Sequence, residues 1–346
     1  MKTSLLVLAA LSAMTAPALS QESRVDEILD RLRNANQHRD HVMVVAHRGS
    51  WWKDGEIVEA ENSIASIERS VRLGVEMVEL DVQKTSDGRF VILHDKTLER
   101  TTTCGGAVAE KTFDEVRECR LVVEGTGETT AETVPTLEEA YDAIRGRILM
   151  NVDIKLGVEE LAEVIRVAHD MGVDRQIVTK ARTGKPEEIE AARATLARIP
   201  SEAIFMPIID DRDVKDVDGV RATYDAFRPE AVEVLNRWKA GTPLTADGGI
   251  NFSLDAKGLA VANDTHIWIN TLFQGADANL AGGRGDPLAV GPGATHEGWG
   301  FWVTAGATIV QTDEPEALVA YLQSIGARKP YETDDAQGDG KPAAAE

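Results

Sequence analysis

Beyond its first twenty residues, the 346-residue chain has no apolar stretch approaching the length of a bilayer span. That leaves no internal segment to place in a membrane. Positive charge is also scarce: 37 Lys and Arg against 58 Asp and Glu give a net charge of −21. Such a balance argues against nonspecific binding to nucleic acid or anionic lipid. Only two cysteines occur, Cys104 and Cys119, and neither has CxxC or Cys/His spacing, so a thiolate metal site and a thiol nucleophile are set aside. Gly-x-Ser-x-Gly elbows, Walker-type loops and internal repeats are missing as well. Chemistry is left to His, carboxylates, Arg and Lys.

The first twenty residues have the pattern of an export signal: Lys2, an apolar run from Leu5 to Ala18, and small residues before Gln21. Cleavage after Ser20 is expected, giving a soluble product that is periplasmic or secreted. The expected organisation is a signal peptide over 1–20, one domain over 21–328, and a charged, small-residue-rich disordered tail over 329–346. In an exported chain Cys104 and Cys119 are compatible with a disulfide and equally with two separate thiols.

Nine short β-branched runs read as strands, at 42–46, 75–81, 90–94, 148–154, 176–179, 203–209, 231–235, 266–270 and 307–311. Helical patterns separate most of them. Asn62-Ser63 opens one, with Ile64, Ile67 and Val71 on a face; Thr136 and Glu139 form a capping box for another; Asp313 is read as the N-cap of the last. Strands alternating with helices imply parallel sheet. An open doubly wound sheet usually carries a Gly-rich turn after its first strand, where this chain has His47-Arg48-Gly49-Ser50. Polar residues instead close several strands, which favours a (β/α)8 barrel with its site on the C-terminal face. Nine runs are one too many for that barrel. Only residues 82–89 separate the second and third, too few for a parallel crossover. Thr85-Ser86-Asp87-Gly88 is turn chemistry, so the third run reads as an antiparallel return that brings His94 opposite Asp81. A long Gly-rich loop over 274–300 follows the seventh barrel strand.

Glu79 and Asp81 are two apart and face the same way on a strand, and Asp153 joins them from another. Three carboxylates among apolar neighbours suit a hard divalent cation, Ca²⁺ or Mg²⁺. His47 and His94 each close a strand and suit a general acid and base. Arg48 and Lys155 are placed to hold a phosphate or to counter the carboxylates. Gly49 is read as permitting close backbone approach to a ligand, Asn62 as a helix cap, and Glu61 as reaching into the site.

These blocks resemble the glycerophosphodiester phosphodiesterase family. The resemblance rests on His47-Arg48-Gly49, Glu61-Asn62, Glu79-Leu80-Asp81, Asp87-Gly88, His94-Asp95, Thr101-Thr102, Pro135-Thr136-Leu137-Glu138-Glu139 and Asp153-x-Lys155. It continues weakly through Ile267-Trp268-Ile269-Asn270 to Thr312-Asp313. It implies a TIM-barrel hydrolase that cleaves small-molecule glycerophosphodiesters to glycerol 3-phosphate and an alcohol, with a divalent cation. His47 and His94 would be the acid/base pair, and Glu79, Asp81 and Asp153 the metal ligands. Arg48, Lys155, Glu61 and Trp268 would contact substrate. The chain departs from the family at Asp153, where Glu is usual, and at Ala60, where Pro is usual. Two other outcomes keep the same barrel: a phospholipase-like lyase releasing a cyclic phosphate, with Trp51, Trp52, Trp299 and Trp302 in contact with lipid, and a non-catalytic exported binding protein.

Overall fold

The computed structural model describes residues 23–198, 201–273 and 278–331. Eight parallel strands close a barrel in chain order: β1 (Met43–His47), β2 (Met77–Lys84), β3 (Leu149–Ile154), β4 (Ile177–Arg182), β5 (Ile204–Asp210), β6 (Ala231–Leu235), β7 (His266–Asn270) and β8 (Ile309–Thr312). Pairing of β1 with both β8 and β2 closes the ring. The third expected run, observed as Phe90–Ile92, runs antiparallel on the upper end of β2, with Val82 opposite Ile92 and Lys84 opposite Phe90.

Side-chain alternation decides what fills the barrel. Counting up from the N-terminal end, Met43, Val45, Met77, Leu149, Val178, Ile204, Met206, Ala231, Trp268 and Ile309 make an apolar lower interior. The next inward positions are Glu79, Asn151, Lys180, Glu233, Asn270 and Gln311, all buried. The intervening positions, such as Val44, Val78, Met150 and Ile269, pack outward under the helices. The strands are therefore mainly apolar on both faces until their last inward residues, where the polar layer begins.

The helices follow their local chemistry. Ser63, not Asn62, caps Ile64–Arg72, and Thr136 caps Leu137–Ile144 with Glu139 completing the box; such caps contribute about 1 kcal/mol each. The last helix is Pro315–Ser324, preceded by Glu314 without a side-chain cap; Asp313 is drawn into the site instead. Its Leu318 and Leu322 are buried, whereas Ile325, at the helix's C-terminal end, is 47% exposed.

A helix the sequence reading omitted, Arg24–Arg33, closes the barrel base through Val25, Ile28, Leu29 and Leu32. The tail was expected to begin at 329, but Lys329 to Tyr331 pack on that base. Arg31 donates to the Lys329 and Pro330 carbonyls, and Tyr331 is buried against Glu76. The expected signal peptide and the tail beyond 331 lie outside the described residues. Between β2 and β3 the chain builds a small outer layer with its own core of Leu93, Leu98, Val108, Val116 and Leu121. There Cys104 and Cys119 are disulfide-bonded across 15 residues, a closure worth about 3 kcal/mol by chain entropy. Among the described residues, no helix is long and apolar enough to cross a membrane.

Candidate active site

Strand register assembles the carboxylates. Glu79 lies beside His47 across the β1–β2 pair, and Asp81 beside Asp153 across β2–β3. Glu79, Asp81 and Asp153 each offer an oxygen, all within 4.8 Å of one another. Burial pushes all three pKa values upward. Lys155 and Arg48 overcome it at Asp81, and Lys180 and Lys155 at Asp153, so both sit below the usual range. Glu79 stays above it, because the Asp81 charge adds to burial and Lys180 offsets too little. Asp81 Oδ1 is buried, lies 2.8 Å from Lys155 Nζ as a charge contact, and completes no hydrogen bond. A convergent set of carboxylate oxygens, one resisting ionisation, fits a hard divalent cation.

The two histidines flank this set, and each is steered by a carboxylate. His47 Nδ1 is 2.6 Å from Asp313 Oδ1, and His94 Nδ1 is 2.6 Å from Asp95 Oδ1. An ionised carboxylate only accepts, so each Nδ1 carries the proton and each Nε2 is left for chemistry. Burial lowers the pKa of both rings. At His47 the Asp313 charge reverses this and the net shift is upward. At His94 burial, with Arg48 and Lys155 nearby, outweighs the Asp81 charge and the net shift is downward. The return strand sets His94: Leu93 N–H bonds the Asp81 carbonyl at 2.9 Å, and Gln83 holds the His94 carbonyl at 3.0 Å.

Lys155 Nζ is 2.8 Å from both Asp81 Oδ1 and Asp153 Oδ2. Arg48 adopts a left-handed φ of 53° and bonds Glu61 at 2.9 Å, with its Nε 3.2 Å from Asp81. Positive φ at a non-glycine is a strained conformation that persists where surroundings impose it. Glu61 is buried and does not reach the cavity; it clamps Arg48 and accepts from Arg100 at 2.7 and 3.0 Å. Asn62 is no helix cap: its amide bonds Asp81 Oδ2 at 2.8 Å, and its carbonyl oxygen takes the Asp81 N–H at 3.1 Å. Gly49 approaches the next helix closely: a Cβ there would collide with the Ser66 side chain and lie 2.9 Å from its carbonyl carbon. Trp268 sits fully buried below the cavity, where Nε1 bonds Asn270 Oδ1 at 2.6 Å. Trp299 and Trp302 are buried too, which removes them from lipid contact.

Several site residues escaped the sequence reading. Lys180 faces Glu79, Asp153 and Glu233 at 3.4–3.6 Å. Asn270 bonds Glu233 at 2.8 Å. The signal for Lys180 was the two-residue period, in Lys180-x-Arg182 just past the run at 176–179; Gln311-x-Asp313 crosses the end of the run at 307–311 in the same way. The cavity holds about 270 Å³ and is lined by His47, Arg48, Glu79, His94, Asp153 and Lys155, and across the barrel by Arg182, Leu235 and Arg237. A larger hollow, about 610 Å³, opens on the flank beside Phe252, Lys257 and Phe301. It shares no lining residue with the acid–base set, so its size does not mark the chemistry.

The fold and site define a class: a (β/α)8 barrel whose C-terminal mouth gathers three carboxylates, two carboxylate-steered histidines and several cations. The model of the glycerophosphoryl diester phosphodiesterase family matches residues 47–234, and the chain belongs to that family. A domain of unknown function also matches, over 205–322. Over 117 residues the chain is 38% identical to a glycerophosphodiester phosphodiesterase of Caldanaerobacter subterraneus, covering 34% of this chain and 46% of that protein. Over 120 residues it is 36% identical to mouse glycerophosphodiester phosphodiesterase 1, covering 34% and 35%. The chain thus spans about a third to a half of the length of these curated relatives. A solved glycerophosphoryl diester phosphodiesterase from Parabacteroides distasonis superposes with a TM-score of 0.62 at 21% identity, covering 88% of this chain and 93% of that one. An Oleispira antarctica phosphodiesterase, solved with the product sn-glycerol-3-phosphate, gives 0.54 at 18% identity over 81% and 96%.

Proposed function

We propose that the protein hydrolyses glycerophosphodiesters to glycerol 3-phosphate and an alcohol, with a divalent cation, Ca²⁺ or Mg²⁺, held by Glu79, Asp81 and Asp153. The observation that carries this reading is the pairing of two oppositely tuned histidines across one cavity walled by carboxylates and cations. When bound, the cation neutralises charge on the phosphate oxygens. His94, held neutral, takes a proton at Nε2 from water as the water oxygen bonds phosphorus. His47, held protonated, gives its Nε2 proton to the alcohol oxygen as the phosphorus–oxygen bond breaks. Lys155 and Arg48 exchange part of their carboxylate contacts for phosphate oxygens. Family membership and the product named in the Oleispira structure support the substrate class. The export pattern at the N-terminus and the Cys104–Cys119 bridge support action outside the cytoplasm.

The test is direct. Purified protein with Ca²⁺ or Mg²⁺ releases glycerol 3-phosphate from a glycerophosphodiester, followed by phosphorus NMR so that a cyclic phosphate is seen if the reaction is a lyase. His47→Ala and His94→Ala each abolish turnover while the circular dichroism spectrum is retained. Full activity in either variant, or in excess chelator, sinks the mechanism.

A further inference from the structure

We infer that the wall of this cavity opposite the histidines is an anion site for the alcohol side of the diester, so that the preferred leaving group carries a carboxylate or a second phosphate. The inference rests on the hydrolytic reading above and extends it to the substrate.

The carboxylate triad and His47 belong to β1, β2 and β3, and His94 to the return strand's end. Across the barrel, β4 ends in Arg182, β5 in Asp210, and Arg237 follows β6. Asp210 is 1% exposed. Its Oδ2 meets Arg182 Nη1 at 2.9 Å, Arg212 Nη2 at 2.8 Å and Arg237 Nη2 at 2.8 Å. Its Oδ1 takes the Arg212 N–H at 3.0 Å. One buried carboxylate thus aligns three guanidiniums and balances the charge of one. Asp213 stands 3.7 Å from Arg182 but closer, 3.3 Å, to Lys185. Asp211 turns to the Arg237 backbone N–H.

Arg182 and Arg237 line the cavity, with Lys180 between them and the triad. Arg182 meets Asp210 through Nη1 alone, and Arg237 through Nε and Nη2. The remaining N–H groups, Nε and Nη2 of Arg182 and Nη1 of Arg237, have no protein acceptor among the described residues. Planar forks held in place by a buried anchor bind carboxylate or phosphate with little left to order. The apolar part of the wall is Ile208, Leu235, Leu272 and Leu280, and among the described residues no Phe, Tyr or Trp lines the cavity. A trimethylammonium group placed against this wall would meet two guanidiniums of like charge.

Four diesters of glycerol 3-phosphate test this, with ethylene glycol, choline, glycolate or glycerol phosphate as the alcohol, each assayed for kcat/KM with Mg²⁺. The glycolate and phosphate diesters are expected about tenfold or more above the ethylene glycol diester, as one charge-assisted pair supplies. The choline diester is expected lowest, and the glycolate and phosphate arms separate the two anions. In Arg182→Gln and Arg237→Gln the charged-to-neutral ratio falls severalfold, chiefly through KM. Asp210 keeps two guanidinium partners in either variant, and a ratio within one preparation is insensitive to its folded fraction. Equal kcat/KM for charged and neutral diesters, or a ratio unchanged in both variants, overturns the anion site and leaves hydrolysis standing. No turnover of any of the four overturns the hydrolytic reading, and the anion site with it.

Discussion

Asp313 Oδ1 stands 2.6 Å from His47 Nδ1, joining the residue after β8 to the residue that ends β1. Asp313 is itself fixed: its Oδ2 accepts the Phe273 N–H at 2.7 Å, and its own N–H bonds Asp286 Oδ2 at 2.8 Å. Asp286 also accepts from Thr271, Trp299 and Thr312, so it ties the ends of β7 and β8 to Trp299. An asparagine at 313 keeps the shape but presents no charge to the imidazolium, and its single acceptor oxygen can serve only one of His47 Nδ1–H and the Phe273 N–H. Asp313→Asn is expected to lower kcat by about 10²-fold, the usual worth of a positioned acid. The loss should shrink toward low pH, where His47 is protonated without help. A kcat–pH profile with an unmoved alkaline limb would show that Asp313 is a packing residue only.

The pH dependence of the proposed reaction follows from the two shifts. His94 must be neutral, and burial with nearby Arg48 and Lys155 moves its pKa below the ordinary value of about 6.5. His47 must be protonated, and Asp313 moves its pKa above that value against the effect of burial. Activity should rise with pH below 6.5 as His94 loses its proton and fall above it as His47 does. The result is a bell straddling that value, measured as kcat/KM against pH. A profile that climbs steadily into the alkaline range would reverse the roles or remove one of them.

Much of this was legible in the chain. Glu79, Asp81 and the return hairpin that carries His94 come from local spacing, because strand alternation and a short turn fix their geometry; His47 and Asp153 were legible as the polar ends of two other strands. Residues contributed singly by distant strands were not legible. Lys180 and Glu233 are lone charges in apolar runs, and only barrel closure brings them to the polar layer. Asp313 was misread because Asp before a Glu-Pro helix start is a common cap, while its use here depends on β8 lying beside β1. Trp268 was misassigned for a related reason: the level of an inward residue along its strand is set by tertiary register, and this one points in one layer too low.

Cation binding is expected to be visible without turnover. Glu79, Asp81 and Asp153 converge within 4.8 Å. A Ca²⁺ or Mg²⁺ concentration a hundredfold above Kd should stabilise the fold by about 2.7 kcal/mol through mass action. Differential scanning fluorimetry should show a rise in Tm that chelator reverses. Asp153→Ala should raise the metal concentration for half-activation by about tenfold or more. An unchanged requirement would remove Asp153 from the ligand set, leaving Lys155 and Lys180 as its role.

Acid sensitivity should originate at the opposite end of the barrel. Glu76 is fully buried at the base, where it accepts from Val44 N–H and Arg328 at 2.8 Å each, Tyr331 OH at 2.9 Å and His41 Nε2 at 3.1 Å. Burial pushes its pKa up, but Arg328 and His41 more than reverse that and hold it far below the usual carboxylate range. The unfolded chain takes a proton at this glutamate near its ordinary value of about 4.3, and the folded chain does not. Its contribution is therefore complete above that value and is lost as pH falls. Urea-unfolding free energy should drop from roughly pH 5 downward, and the drop should be smaller in Glu76→Gln. At neutral pH the same variant removes one buried carboxylate charge from beside Arg328 and should cost about 3–5 kcal/mol. Parallel pH curves for the two proteins would place the acid-labile contacts elsewhere, with the carboxylates around Lys155 and Lys180 the next to examine.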